Sequence, residues 1–444
     1  MLPLVGVFAI VSCGGSITHR RRMPAALATG PSCLPRLDAT LPAVGAVIVG
    51  RILVARGLRD FGDGLIVIVL PAYLVALGYG AAEVGALATI ALLGSALMTL
   101  GVGMLGARID SRALLLLAAL VMVGTGFGFA LAAGGLMLAV VSFVGTINPS
   151  AGGMSIFVPL EQAALGDASP ASARTRIFAR YSLVGALAAA IGALAAGLPQ
   201  ALAALDLAPL ASLRAMFLLY AVLGIACWWT YRTLPRAAHG HDHTPHAPLG
   251  PSRGIVIRLA ALFSVDSFAG GLAVQALLAL WLFERFGLSL AQAGLFFFWS
   301  GVLSAFSFPV AAWLAARIGL IRTMVFTHIP SSLCLIAAVA SPALEWALGL
   351  LLLRAALSQM DVPTRASYVM AVVTPAERSA AASFTAVPRS LAAAAGPAIA
   401  GAIFAAGWQK TPFILCGVLK IAYDLALLWA FRHHRPPEER TQGR

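Results

Sequence analysis

Charge is scarce in this chain of 444 residues. Asp, Glu, Lys and Arg together make up 11% of it, against about 25% in a soluble domain. Acidic residues are the rarer sign, 17 against 30 Lys and Arg. With 60% hydrophobic residues and a mean hydropathy of +0.92, too little polar surface exists to cover a globule, which excludes the soluble classes. Cysteine is sparse and scattered (Cys13, Cys33, Cys227, Cys334, Cys416). No Cys-x-x-Cys occurs, so neither a disulfide framework nor a zinc site is indicated. The sequence contains no Gly-x-x-x-x-Gly-Lys phosphate loop, no Ser-His-Asp arrangement and no metallohydrolase motif. The missing phosphate loop argues against an ATP-driven pump. No cofactor is expected.

What is present is apolar length. A spanning helix needs about 20 apolar residues. Runs of that order recur at about 48–77, 81–105, 112–133, 135–160, 176–198 and 210–231, and again at about 256–285, 290–316, 322–341, 343–371, 384–407 and 411–431. Alanine, glycine and leucine dominate them, which selects helices over barrel strands. The expected fold is an all-α integral membrane protein of twelve transmembrane helices in two six-helix bundles. The expected domains are an extension over 1–46, bundles over 47–231 and 255–431, a linker over 232–254 and a tail over 432–444. In the extension, Met1–Ile10 is apolar but too short to span. The basic run Arg20-Arg21-Arg22 follows it, the reverse of a secretory signal, and Met23 is a candidate start.

The net charge of +13 would suggest nucleic acid in a soluble protein. Here the basic residues lie between the apolar runs, which reads as membrane topology; no nucleic-acid partner is expected. With the N-terminus inside, the inner segments hold Arg108, Arg112, Arg174, Arg176, Arg232, Arg236, Arg253, Arg317, Arg322, Arg378, Arg432, Arg435, Arg440 and Arg444. The outer loops hold only Arg285 and Lys410. Basic loops resist translocation, so both termini are expected to be cytoplasmic in a bacterial-type inner (plasma) membrane. The linker carries His239, His241, His243 and His246. That set is either a weak metal-binding stretch or a solvated connection.

The two sets of runs are repeats. A shift of 209 residues, without gaps, aligns Gly78 with Gly287, Gly85 with Gly294 and Leu105 with Leu314. It also aligns Ala107-Arg108-Ile109 with Ala316-Arg317-Ile318, Arg180 with Arg389, and Gly192 with Gly401. Parallel repeats about an axis along the membrane normal are one transporter architecture.

From about residue 45 to 431 the chain resembles a major facilitator superfamily permease. That family carries Gly-x-Leu-Ala-Asp-Arg-x-Gly-Arg-Arg between helices 2 and 3. This sequence has Gly103-Met-Leu-Gly-Ala107-Arg108-Ile-Asp110-Ser-Arg112 and, in the second half, Leu314-Ala-Ala316-Arg317-Ile-Gly319-Leu-Ile-Arg322. The family's aspartate is Ala107 and Ala316 here, with Asp110 as a candidate substitute. The fourth-helix arginine pattern is not met at Gly145 but occurs as Arg354-Ala-Ala-Leu-Ser358. The antiporter-type Gly-Pro pattern is absent from helix 5, and helix 11 has Gly396-Pro397-Ala-Ile-Ala-Gly401. Thr374-Pro375-Ala-Glu377-Arg378 resembles the family's loop before helix 11. The resemblance implies a central cavity lined by helices 1, 4, 7 and 10. It also implies cytoplasmic gate residues, with Arg108, Asp110, Arg112, Arg180, Arg317, Gly319, Arg322 and Arg389 as candidates. Arg180 and Arg389 either pair across the halves or reach toward lipid headgroups.

Ionisable residues inside a bilayer cost about 2.5–3.5 kcal/mol each on insertion scales, so their positions carry information. Helix 1 holds Arg56, Arg59, Asp60 and Asp63 within an arc of about 100°, with Arg56–Asp60 and Arg59–Asp63 four apart. Helix 10 holds Arg354, Ser358, Asp361 and Arg365 in one stripe. Helix 7 holds Asp266 and Gln275. In helix 4, Asn148-Pro149-Ser150 interrupts a hydrogen-bonded turn, and Asn148, Ser155 and Gln162 recur every seven residues on one face. Carbonyls freed there are available to a substrate or cation, or the proline only kinks the helix.

Two readings of these residues are open. In one, Asp60, Asp63, Asp266 and Asp361 carry protons, since burial and nearby arginines both set a carboxylate's proton affinity. Arg56, Arg59, Asn148, Gln275, Arg354, Ser358 and Arg365 then line a substrate cavity. In the other, Arg56–Asp60, Arg59–Asp63 and Arg354–Asp361 are buried pairs that lock helices together. Asp266 has no partner within its own helix, and Lys420 and Asp424, four apart in helix 12, are expected to neutralise each other. The expected function is secondary active transport, with proton-coupled export of small organic molecules first. An organic-anion permease, a metal exporter and a membrane-embedded sensor or enzyme are the alternatives. The expected partners are a small-molecule substrate, protons and the lipid bilayer, with the protein a monomer.

Overall fold

In hydrocarbon, every backbone N–H and C=O must be paired within its own segment, so alanine- and leucine-rich runs of this length settle as helices. The computed structural model describes residues 43–105, 110–132, 134–149, 155–169, 171–203, 206–235, 250–374 and 377–431. Among these residues the chain forms sixteen helices and no strand. The first half comprises α1 (Ala43–Ala76), α2 (Ala81–Leu105), α3 (Ser111–Leu131), α4 (Gly135–Val144), α5 (Phe157–Ala168), α6 (Ala171–Ala195), α7 (Leu198–Ala203) and α8 (Pro209–Arg232). The second comprises α9 (Arg253–Leu272), α10 (Gln275–Phe286), α11 (Leu290–Ile318), α12 (Leu320–Ala340), α13 (Leu344–Ser358), α14 (Asp361–Val372), α15 (Arg378–Ala405) and α16 (Thr411–Phe431).

Nine helices among the described residues are long and apolar enough to cross a membrane, α9 and α10 counting as one of them. The three further spans needed for twelve would be α1, α4 with α5, and α13 with α14. Helix α1 has the length, 34 residues, but carries the four ionisable residues of helix 1. The other two are interrupted. The chain is a multi-pass membrane protein, and large apolar side chains face outward along its helices, among them Leu117, Leu120, Phe306 and Leu425. Trp229, Trp346, Trp408 and Trp429 are each more than 60% exposed, as expected of an aromatic belt at the two membrane–water boundaries.

Three apolar runs that read as continuous are broken. Helix α4 ends at Val144 and α5 begins at Phe157, with Pro149 between them, so Asn148 and Ser155 lie in neither helix and do not share a helical face with Gln162. The span resumes at Phe157 and runs past the expected end at 160 to Ala168. Between α9 and α10 the break falls at Ala273–Val274. Between α13 and α14 it falls at Gln359–Met360, just before Pro363, whose missing N–H suits the first turn of a new helix.

Within the first half, α1 packs on α6 and α8, and α3 on α8. Within the second, α9 packs on α15 and α16, and α12 on α13 and α16. The halves meet along α2–α15 and α6–α11. Small residues permit the approach. A Cβ on Gly85 would lie 2.3 Å from the Pro397 carbonyl oxygen and 2.9 Å from the Cα of Gly401, which is packing only glycine allows. Beside it, the Ala398 N–H donates to Thr89 Oγ1 at 2.9 Å. On the other seam, the Ala291 N–H donates to Gln200 Oε1 at 3.3 Å. These contacts lie at the end of the bundles opposite the close of α8, where Arg51 near the start of α1 donates to the Thr233 carbonyl. Gly294 and Gly301 of α11 meet Ala193 and Ala190 of α6 in the same way, so small residues line both seams.

Candidate functional site

The sequence places the chemistry on helices 1, 4, 7 and 10, and the structure divides those residues into two clusters of different character. The first is sealed inside the first half. Arg59 is 1% exposed. Its guanidinium reaches Asp60 at 3.3 Å and Glu161 of α5 at 3.0 Å, and lies over the Phe157 ring at 4.7 Å. The predicted Arg59–Asp63 pair is therefore not made; Arg59 turns to Glu161, which no residue of its own helix could reveal. The Glu161 carboxylate, fully buried, also accepts from the Tyr181 and Tyr231 hydroxyls, each at 2.5 Å. Arg56 pairs with Asp60 at 2.7 Å as expected and donates to Tyr181 at 3.2 Å. Gly185 makes room for this pair, since a Cβ there would lie 2.4 Å from Asp60 Oδ2. Asp63, set apart from the arginines, accepts from Tyr220 at 3.1 Å. Tyr220 also lies 3.0 Å from Thr146 Oγ1.

The second cluster faces a cavity. A space of about 330 Å³ lies between the halves at the α9–α10 break. Its first-half wall is small and apolar, built from Gly64 and from alanines of α6. Its second-half wall carries all the polar side chains, set among apolar ones such as Phe297 and Leu335. The polar ones include Gln275 at the start of α10, Ser300 and Ser304 of α11, His328 and Ser331 of α12, Arg354 and Ser358 of α13, and Lys420 of α16. A neighbouring cavity of about 220 Å³ shares His328, Ser358 and Lys420 and adds Asp266, Asp361, Arg365 and Arg389. Around the two spaces stand four fixed cations (Arg354, Arg365, Arg389, Lys420) and two carboxylates (Asp266, Asp361).

The carboxylates are already partnered. Asp266 meets Lys420 Nζ at 2.6 Å and Arg365 at 3.0 Å, with His328 Nε2 at 3.8 Å. Asp361 pairs with Arg365 at 3.3 Å, not with Arg354. Lys420 and Asp424 do not neutralise each other. Lys420 turns to Asp266, and Asp424 meets His328 Nδ1 at 3.1 Å. Lys420 Nζ lies 3.3 Å from His328 Nε2. An ammonium only donates, so the neutral imidazole that satisfies both neighbours carries its proton on Nδ1. Asp266, without a partner in its own helix, has three from other helices. Arg354 is the opposite case. It lines the larger cavity, and among the described residues no carboxylate or hydrogen-bond acceptor meets its guanidinium.

Of the remaining candidates, Asn148 is buried at the α4–α5 break. The Pro149 carbonyl freed there accepts the Ala276 N–H at 3.2 Å, so this carbonyl joins the two halves at the start of α10. Asp110 caps α3, accepting the Arg112 N–H at 3.3 Å, and the Arg112 side chain donates to the Arg232 carbonyl at 2.6 Å. Arg317 stacks on Trp313 at 4.1 Å. Gly319 joins α11 to α12 at φ +91°, a backbone shape that favours glycine. Arg322 is exposed, Arg180 half-buried, and Arg389 lies at the smaller cavity. Arg108 and the linker histidines His239, His241, His243 and His246 lie outside the described residues.

Residues absent from the sequence-based set include Glu161, His328 and the tyrosines. Glu161 lies just past the predicted end of its span, and its signal was a Glu-Gln pair in an apolar flank. The signal for His328 was a single imidazole within an apolar run. Glu377, known from sequence only as part of a loop motif, ties the start of α9 to the segment before α15. Its carboxylate accepts from Ser252 Oγ at 2.6 Å, Thr374 Oγ1 at 2.7 Å and the Gly250 N–H. The hydrogen bonds from Ser252, Thr374 and Gly250 lower its pKa from the ordinary 4.5 to about 2.

A sequence profile of the Major Facilitator Superfamily matches residues 52–353 and 259–444. An uncharacterized membrane protein of Saccharomyces cerevisiae is 24% identical over 335 residues, 66% of this chain and 74% of that protein. Among solved structures, a bacterial homologue of the human lysosomal transporter Spinster, inward-facing and occupied, superposes with a TM-score of 0.69. It is 16% identical, over 88% of this chain and 97% of its own. The nucleoside transporter NupG superposes with a TM-score of 0.68 at 14% identity, over 87% and 99%. At these identities the likeness is one of fold.

Proposed function

The chain belongs to the Major Facilitator Superfamily, and on that premise we propose that it is a proton-coupled secondary transporter of small organic anions. The observation that carries this reading is Arg354, a guanidinium at the wall of the 330 Å³ cavity with no partner among the described residues. A substrate carboxylate or phosphate supplies the bidentate acceptor that such a group lacks. Gln275, Ser304, Ser331 and Ser358 offer neutral hydrogen bonds around it, and the alanine wall accommodates an apolar body. The four-to-two excess of cations over carboxylates favours the same charge. It moves the reading from the export of small organic molecules in general toward the organic-anion alternative.

Coupling to protons has two supports. Asp63 is the one of the four candidate carboxylates without a cation in contact among the described residues, its partner being the Tyr220 hydroxyl. His328 bridges Asp424 and Lys420, and an imidazole has two ring nitrogens that can each carry a proton. A second proton on His328 would direct Nε2–H toward Asp266 and repel Lys420 from it. Lys420 would then be free to meet an anionic substrate.

The two six-helix halves, over 47–231 and 255–431, rock about this site as access alternates. With both termini cytoplasmic in an inner (plasma) membrane, the closed seams at Gly85–Gly401 and Gln200–Ala291 lie on the outer side. Arg354→Gln tests the cargo class. In vesicles holding equal amounts of folded protein, anionic substrates should lose roughly ten- to hundredfold in apparent affinity, the equivalent of one charge-assisted bond. An equal loss for neutral substrates would overturn the anion reading.

A further inference from the structure

The sequence leaves Arg285 and Lys410 as the two basic residues of the outer loops, and the structure brings them to one cavity. A space of about 370 Å³ lies between the end of α10, the 406–410 turn and the start of α16. Arg285, Lys410, Trp281, Trp408 and Gln409 line it. Neither cation is ion-paired among the described residues. Arg285 lies 5.9 Å over the Phe286 ring. The neighbouring carboxylate, Glu284, accepts from Gln409 Nε2 at 2.9 Å.

Trp281 is fully buried, yet its indole N–H has no hydrogen-bond partner. That nitrogen is closed off from the cavity as well, so Trp281 contributes its ring to the wall. Trp408 is 68% exposed and supplies an apolar face at the mouth. Thr411, the first residue of α16, is also at the wall, so a helix amino end adds its partial positive charge. The repeat provides an internal control. Under the shift of 209 residues, Trp281, Arg285, Trp408 and Lys410 correspond to Ala72, Ala76, Pro199 and Ala201. The other half is built without these side chains, so the architecture does not demand them. The place is also separate from the Arg354 cavity. Gln275 begins α10 at that cavity and Arg285 ends it here, about 15 Å along the helix at 1.5 Å per residue.

We propose that this cavity is a second anion site, taking a phosphate or carboxylate group between Arg285 and Lys410. The group comes either from a phospholipid headgroup or from a free anion in the outer water. The test uses the full-length protein in nanodiscs of zwitterionic lipid. Inorganic phosphate is titrated at constant ionic strength, and intrinsic fluorescence is read with Trp408→Phe identifying the local signal. The wild type should respond. R285Q/K410Q should bind phosphate at least about tenfold more weakly, R354Q should respond like the wild type, and the charge-preserving pair R285K/K410R should restore the response. Adding anionic lipid separates the sources. A headgroup ligand raises the phosphate midpoint in the wild type and leaves phospholipid bound in native mass spectra of the wild type but not of R285Q/K410Q. A free-anion ligand leaves the midpoint unchanged. Equal phosphate titrations in the wild type and R285Q/K410Q, with no difference in retained lipid, would overturn the proposal and leave these residues as boundary anchors.

Discussion

The two halves of this protein share a fold and not a chemistry. Under the repeat, Arg56, Arg59, Asp60 and Asp63 correspond to Val265, Phe268, Ala269 and Leu272, and Glu161 to Met370. In the other direction, Asp266, His328, Arg354 and Lys420 correspond to Gly57, Ala119, Gly145 and Ala211. Each of these nine charged positions is thus apolar or small in the other half, whereas the cavity residue Arg389 repeats Arg180. In the first half the charges close on one another around Glu161 and line neither central cavity. In the second they surround the cavity and leave Arg354 unmet. Duplicated architecture therefore supplies two bundles and a seam, while the asymmetric charges decide which wall meets the cargo. The first-half residues Arg56 and Arg59, candidates for the cavity on sequence grounds, sit in the sealed cluster instead.

The largest effect should come from breaking that cluster. Glu161→Ala leaves Arg59 buried without its main partner, which costs about 3–5 kcal/mol. Thermal unfolding of the purified protein should show it as a large drop in midpoint. A variant that keeps wild-type stability while losing transport would break the comparison, by making the sealed cluster part of the pathway. Next in size, Asp63→Asn should remove much of the proton-driven component of flux in vesicles while substrate binding persists. Unchanged flux with unchanged pH dependence would remove Asp63 from the coupling.

His328→Gln sharpens the second half. The groups facing His328 are Asp424 and Lys420 of α16, Asp266 of α9 and the Tyr423 ring. Glutamine keeps a donor and an acceptor but binds no proton near neutral pH. Flux should therefore vary less between pH 6 and pH 8 in the variant than in the wild type. An unaltered pH profile would assign coupling to the first half alone.

The smallest effect lies outside the membrane. Glu377 has its pKa lowered from 4.5 to about 2 by its hydrogen bonds. A lowered carboxylate pKa stabilises the folded state fully above the unfolded value, and that contribution is lost as pH falls through the folded one. Glu377→Gln should thus lower the unfolding midpoint modestly above pH 5. The difference from the wild type should shrink between 4.5 and about 2. A difference that does not change over that window would mean that the clasp of Ser252, Thr374 and Gly250 does not hold in solution.

Much of the fold was legible in the sequence, because the signals are local. Apolar length, the shift of 209 residues and the resemblance over the Arg108 and Arg317 loops are read along the chain, and they led to the family and the all-helical class. The breaks were half legible: Pro149 and Pro363 mark two of them, while Ala273–Val274 carries no proline. The site was legible as residue types. Arg354, Gln275, Ser358, Asp266 and Lys420 were all visible as polar intrusions in apolar runs. Pairing was the part that misled, because spacing within one helix can only propose neighbours from that helix. Arg59 and Asp63 are four apart, as are Lys420 and Asp424, yet each of these residues found its partner on another helix.

By itself, then, the sequence determined that this chain lives in a bilayer, folds as helices and is built twice. Apolar burial and backbone pairing act over single runs and need no knowledge of neighbours. Only the tertiary structure decided which charges are spent on one another and which face open space. That choice depends on how each helix is rotated and how closely another helix approaches it, down to the missing Cβ at Gly185 that admits the Arg56–Asp60 pair. An ion pair forms over a few ångströms of space, and distance along the chain sets only the pairs that one helix can make with itself.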